Sequence, residues 1–234
     1  MAETTGIEWS NATWNPWYGC RKVSPACAHC YAEREMTRYG RDFDKVTRAK
    51  DATFRAPERW KEPRKIFTCS WSDFFIEDAD AWRGYAWTVI FETRRHTYQI
   101  LTKRPERMLR DSLLPFSDGV PLNCWLGTSV ENARFYGRID ALRGVKAEVR
   151  FLSIEPLLGP MPDLPLDGIH WVIVGGESGE GFRPLNLDWV REIRDRCAEK
   201  GVAFFFKQKS ALRQKSLDRL LDGREWNDFP MVHA

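Results

Sequence analysis

Short apolar runs alternate with helix-like segments along most of this chain. The runs are Lys65–Ser70, Thr97–Thr102, Asn123–Thr128, Glu148–Ile154, Ile169–Val174 and Val202–Phe206. Most are continuously apolar, which is the pattern of strands buried on both faces in a parallel sheet. Successive runs lie about one βα unit apart, roughly 30 residues. Helices are expected between them. Asp80–Arg94 carries Trp82, Tyr85, Ala86, Val89 and Ile90 at helical spacing. Pro105 suits the first turn of a helix through Met108 and Leu109. Ser129 is placed to cap a helix holding Ala133, Tyr136, Ile139 and Leu142, stopped by Gly144. Asn186 or Asp188 is placed to cap another, holding Val190, Ile193 and Cys197 and stopped by Gly201. A further strand near Thr13–Tyr18 makes about seven, joined by right-handed crossovers. The expected fold is α/β, a partial (β/α) TIM-like barrel. A closed eight-unit barrel typically needs ~250 residues, and this chain has 234.

One domain over 1–234 is expected, with no repeat or linker. The irregular basic segment 38–65 reads as a long crossover or lid, and 207–224 as a basic C-terminal helix. A net charge of +3 excludes a histone-like electrostatic binder and an acidic disordered tail. No apolar run approaches the roughly 18–20 residues that span a bilayer. The start, MAETTGIEWSN, is polar and acidic, unlike a signal or transit peptide. A reducing cytoplasmic location follows as the expectation, so the six cysteines are not expected to form disulfides.

Three cysteines are clustered: Cys20, Cys27 and Cys30, in the loop 19–31. A C-x2-C pair lets two thiolates grip one metal centre from a tight turn, and the third can reach it from the preceding loop. Gly19 and Pro25 suit irregular backbone there. Three readings stand. A structural zinc site needs a fourth ligand, His29 or the remote Cys69. A Cys27–Cys30 redox pair leaves Cys20 unexplained. A [4Fe–4S] cluster on three thiolates, where four are usual, leaves one iron open. S-adenosylmethionine (SAM) radical chemistry uses such an iron. Cys69, Cys124 and Cys197 fall in predicted strands or on an apolar helix face and read as packing residues.

At these cysteines the sequence resembles the radical SAM superfamily, with x6 where C-x3-C-x2-C is usual. More closely, it resembles a phage and bacterial family of small three-cysteine proteins of unknown function, regarded as radical-SAM-like. The resemblance spans GIEWSNATWNPWYGC, CAHCYAE, SWSDFF, LTKRPERM, GTSVEN, FLSIEPLLGPM, WVIVGGESGEGFRP and FFFKQ. It implies a [4Fe–4S] cluster on Cys20, Cys27 and Cys30, bound SAM and an external electron donor of flavodoxin or ferredoxin type.

Polar residues follow the predicted strands, where parallel β/α folds bind ligands. The candidates for the cofactor are Tyr31, Ser70, Ser72, Asp73, Thr102, Lys103, Ser129, Glu131, Glu155, Gly175, Gly176 and Glu177. The two glycines would permit close backbone approach to a ligand. Lys103, Arg104, Arg183 and Lys207 suit a carboxylate or phosphate. Asn132 and Gln208 complete the polar set on the substrate side. Trp14, Trp17 and Trp71 flank the cysteine loop, and their rings suit stacking on a base. The phage relatives imply a modified DNA or nucleotide substrate. The sharpest form is hydrogen abstraction from the glycyl carbon of a glycyl-thymidine, then migration from nitrogen to carbon. A photoproduct-lyase-like repair enzyme and a non-catalytic zinc- or cluster-stabilised nucleic-acid-binding module are the alternatives.

Overall fold

The structure, a computed structural model, describes residues 3–116, 119–212 and 218–231. Seven strands form one all-parallel sheet: β1 (Ala12–Trp14), β2 (Lys65–Thr68), β3 (Thr97–Thr102), β4 (Cys124–Ser129), β5 (Val149–Ile154), β6 (Trp171–Gly175) and β7 (Ala203–Gln208). Their order across the sheet is their order along the chain. The sheet curls into a half-barrel, the partial TIM-like architecture expected from the strand pattern. The longer helices are α1 (Tyr31–Arg38), α2 (Asp80–Glu92), α3 (Gly137–Arg143) and α4 (Leu187–Lys200). Among the described residues, no helix is long and apolar enough to cross a membrane.

The strands are buried on both faces because each face has its own apolar layer. Outward, Ile66, Ile100, Leu126, Leu152, Val172 and Phe204 pack with Ala86, Ile90, Ile139, Leu142, Val190 and Ile193 of the helices. Inward, Trp9, Phe67, Trp125, Phe151, Trp171 and Phe205 form an aromatic plug. Trp171 is its hub, with ring centroids of Trp9, Trp125, Phe151, Phe205 and Phe229 between 5.1 and 6.2 Å away. Gly127 makes room for it: a Cβ there would lie 2.4 Å from the Phe151 ring. Cys124 and Cys197 are buried as packing residues. Cys69 is also buried, but it turns the chain just beyond β2, with φ +62°.

Several expectations are corrected. The single strand near Thr13–Tyr18 is two: β1 ends at Trp14, and Trp17–Tyr18 pairs antiparallel with Thr47–Arg48. Pro16, between them, has no N–H to continue a ladder. The helix cap is not Ser129, which ends β4, but Asn132, whose Oδ1 accepts from Arg134 N at 3.1 Å. Pro105–Leu109 forms a 3-10 turn. Asn186 does cap α4, accepting from Asp188 N at 2.8 Å, and Gly201 ends it in the left-handed conformation. The basic helix expected over 207–224 is absent among the described residues. Lys207 and Gln208 finish β7, and the chain then doubles back, with Lys209 N donating to Asp218 O at 2.7 Å and its ammonium pairing with Asp218 at 2.7 Å. Residues 213–217 of that expectation lie outside the described residues. The segment 38–65 holds two short helices, Asp51–Phe54 and Ala56–Arg59, anchored by buried Phe54 and Trp60.

Candidate active site at the mouth of the half-barrel

Side chains alternate between the faces of a strand, so the inward set that forms the plug continues upward into a mouth. A cavity of about 720 Å³ opens there, at the carboxyl ends of the strands. Cys20, Cys27, Cys30 and Tyr31 line it from the N-terminal loop and the start of α1. Ser70, Trp71, Ser72 and Asp73 line it after β2, and Thr102, Lys103 and Arg104 at the end of β3. Ser129, Glu155, Gly176, Glu177, Lys207 and Gln208 complete the far wall.

Other predicted site residues lie elsewhere. Trp14 is fully buried on the helix side of β1, donating Nε1–H to Phe54 O at 2.9 Å. Its neighbours Thr13 and Asn15 face the cavity instead. Trp17 is buried against Phe74, donating to Asp73 O at 3.1 Å. Neither ring is free to stack on a base. Glu131 is buried and paired with Arg138 at 2.9 Å, and Asn132 serves as a cap. Gly175 sits between Glu155 and Lys207, where a Cβ would meet Glu155 Cγ at 3.4 Å and Lys207 Cβ at 3.5 Å. Gly176 does line the cavity, and its close approach is to Ser210, whose backbone N would lie 2.5 Å from a Cβ. Arg183 binds Glu177 rather than facing the cavity.

The cysteine loop is held by a dense set of local bonds. Gly19 adopts φ +94°, and a Cβ there would lie 2.5 Å from Lys45 O. Its N–H donates to Trp71 O at 3.0 Å, and its carbonyl accepts from Ser72 Oγ at 2.6 Å. Tyr31 donates to Ser70 O at 2.7 Å. Asn15 ties β1 to the same turn, donating to Ser70 Oγ at 3.0 Å and accepting from Trp71 N at 2.9 Å. Asp73 is saturated: it accepts from Thr102 Oγ1 at 2.6 Å, from the backbones of Phe75 and Lys103 at 2.9 Å each, and from Arg104 Nη1 at 3.1 Å. Arg104 also donates to Arg21 O at 2.9 Å and lies 3.9 Å from Cys20 Sγ.

All three loop thiols are free and half-buried. Burial, and then the Asp73 charge, push the Cys20 thiol up to about 11, with Arg104 opposing them. Among the described residues, no three His, Cys, Asp or Glu side chains are gathered closely enough to hold a metal ion. The donor chemistry nonetheless fits a thiophilic centre: three unpaired thiols line one cavity and no disulfide consumes them. Cys69, at 3% exposure, also reaches the cavity wall.

A strap joins this loop to the opposite side of the mouth. Glu177 accepts from Arg183 N at 2.8 Å and Arg183 Nε at 2.9 Å, and pairs with Arg183 Nη2. His29 Nδ1 lies 3.1 Å from Glu177 Oε2, and Arg183 Nη2 donates to Pro25 O at 3.1 Å. Nearby, Arg34 donates to Ser178 O at 2.7 Å. Burial raises the Glu177 carboxyl, but the hydrogen bonds from Arg183 and His29 outweigh it and hold its pKa below the usual value of 4.5. A depressed carboxyl contributes stability that is present above its unfolded pKa and is lost as pH falls through the folded one. The melting temperature is therefore expected to drop on acidification below pH 4.5, and by less in Glu177→Gln. An equal drop in both proteins would contradict the strap.

Asn15, Ser153 and Arg34 line the cavity but were passed over by sequence reasoning, and His29, which also lines it, was named there only as a possible zinc ligand. Asn15 was legible by parity, one residue beyond buried Trp14, and Ser153 by its place two residues before Glu155. Arg34 carried no local signal, since its partner, the carbonyl of Ser178, lies far along the chain.

Fold and site together define a parallel half-barrel protein with a three-thiol loop at the cavity at its mouth. The chain belongs to the family described as protein of unknown function (DUF5131), which it matches over residues 4–230. Comparison with curated proteins and with solved structures finds no match.

Proposed function

We propose that this protein is a radical SAM enzyme, with Cys20, Cys27 and Cys30 as the ligands of a [4Fe–4S] cluster. One observation carries the reading: three free thiols line a single cavity at the carboxyl ends of an all-parallel half-barrel. When bound, such a cluster supplies an open iron for the methionyl amine and carboxylate of SAM and an electron that cleaves the sulfonium to a 5′-deoxyadenosyl radical. The chain's own residues position and shield. The Asp73–Arg104 knot and the Glu177–Arg183 strap fix the two sides of the loop. Glu155, held by Lys207 at 2.8 Å, presents carboxylate oxygens to hydroxyl or ammonium donors. The aromatic plug closes the floor against water. Trp71, half-buried at the rim, offers a ring to a base. The substrate in this reading is a modified nucleobase in DNA or a nucleotide, with glycyl-thymidine isomerisation as its sharpest form. A flavodoxin- or ferredoxin-type donor supplies the electron, in a cytoplasmic setting.

Anaerobic reconstitution with iron and sulfide, followed by reduction with SAM, is expected to release 5′-deoxyadenosine. On treated phage DNA, an isomerase leaves nucleoside mass unchanged and alters chromatographic retention. A second reading, a structural zinc site, draws on Cys69 at the cavity wall as fourth ligand. Purified protein holding one zinc, no iron and no SAM-cleaving activity would establish that reading and overturn the first.

A further inference from the structure

Several cations around the mouth are already engaged by carboxylates; Arg34 and Arg38, at the outer rim, and Lys103 are not among them. Arg104 is engaged by Asp73, Arg183 by Glu177 and Lys207 by Glu155. Lys103 lines the same cavity, half-buried, and among the described residues its ammonium has no carboxylate partner. A second, independent feature lies beside it. Ser129 is 2% exposed and lines the cavity, yet among the described residues its Oγ has no hydrogen-bond partner. Buried hydroxyls are normally paired, so an orphan facing a cavity marks a place for a ligand atom. Strand register brings the two together. Thr102 of β3 pairs with Thr128 of β4, so the next residues, Lys103 and Ser129, are neighbours on the inner face. Ser129 pairs in turn with Ser153, whose Oγ is directed to Glu155 Oε1 at 3.2 Å.

We propose that Lys103 and Ser129 form an oxyanion subsite that takes a carboxylate or phosphate of a molecule bound in the cavity. An ammonium and a hydroxyl are both donors, and an anionic oxygen accepts from both at once. The subsite rests on reading the cavity as the working site, not on the identity of the metal. Two sources share this chemistry: the carboxylate of the SAM methionyl group and a phosphate or carboxylate of the substrate.

Calorimetric titration of the purified full-length protein separates them. S-adenosylhomocysteine is compared with 5′-methylthioadenosine, which lacks the amino-acid carboxylate. Thymidine 5′-monophosphate is compared with thymidine. The subsite predicts tighter binding of the anionic member of at least one pair, by roughly tenfold or more. Preference in the first pair assigns the methionyl carboxylate, and preference in the second assigns a substrate anion. Lys103→Met abolishes the preference while leaving the neutral member's affinity unchanged. Ser129→Ala reduces it without lowering the melting temperature, since the hydroxyl it removes has no partner in the fold. Equal affinity within both pairs, binding of neither pair, or a preference that survives Lys103→Met overturns the proposal. Iron content of the same samples keeps the two readings apart. A preference in iron-free, zinc-loaded protein sinks the cluster and keeps the subsite. Iron-loaded protein without a preference does the reverse.

Discussion

Cys20→Ala is expected to abolish iron incorporation and reduce 5′-deoxyadenosine release to background, while the fold survives. The side chain lies on a loop at the cavity mouth, only partly buried against the core and outside the plug, so its loss removes little packing. Its backbone N–H still donates to Phe43 O at 2.8 Å, and Gly19 and Ser72 still hold the preceding turn. Two thiols cannot supply the ligand set of a cluster that normally takes four. The same variant separates the redox reading, because a Cys27–Cys30 dithiol would persist without Cys20. Iron and acid-labile sulfide assays, with thiol titration and a thermal melt as controls, give the answer. Wild-type iron content in Cys20→Ala would remove this residue from the ligand set.

Trp171→Ala has the largest expected effect on stability. Trp171 is fully buried at the centre of the inner layer, and its Nε1–H donates to Asp228 O at 2.8 Å. Truncating it leaves a void among five aromatic neighbours and an unpaired carbonyl. Large-to-small changes of this kind cost about 3–5 kcal/mol. For a chain of this size that lowers the melting temperature by about 6–20 °C. The plug is also the floor of the cavity, so ligand binding should weaken with it. A shift of a degree or two would mean that the rings do not carry the inner core.

The architecture was readable because parallel strands announce themselves by continuous burial. The run Thr97–Thr102 coincides with β3 residue for residue, and the other five runs differ from their strands only at the ends. The mouth was readable for a related reason: a parallel sheet sends every carboxyl strand end to one side, so polar residues there must converge. What was not readable depended on facing and on distant pairing. Trp14 stands next to cavity-lining residues in the chain, yet alternation turns it to the opposite face. Glu131 lies just past a strand end, as the cavity-lining residues do, but Arg138 draws it into a buried pair. Gly176 does line the cavity, but its lack of a side chain is also required by Ser210, packed against it. The basic stretch after β7 has helix-compatible composition, and only the Lys209–Asp218 closure shows that it folds back.

The strap across the mouth also bears on the order in which the molecule is made. His29 and Glu177 are separated by 148 positions, and Pro25 and Arg183 by 158. Synthesis runs from the N-terminus, and domains gain structure as they emerge. The thiol loop therefore leaves the ribosome long before the segment that anchors it exists. During that interval its three cysteines are accessible to oxidants and, under the proposed function, to whatever delivers iron and sulfide. Emergence of the segment after the sixth strand, with Glu177 and Arg183, ends the interval by tying the loop down.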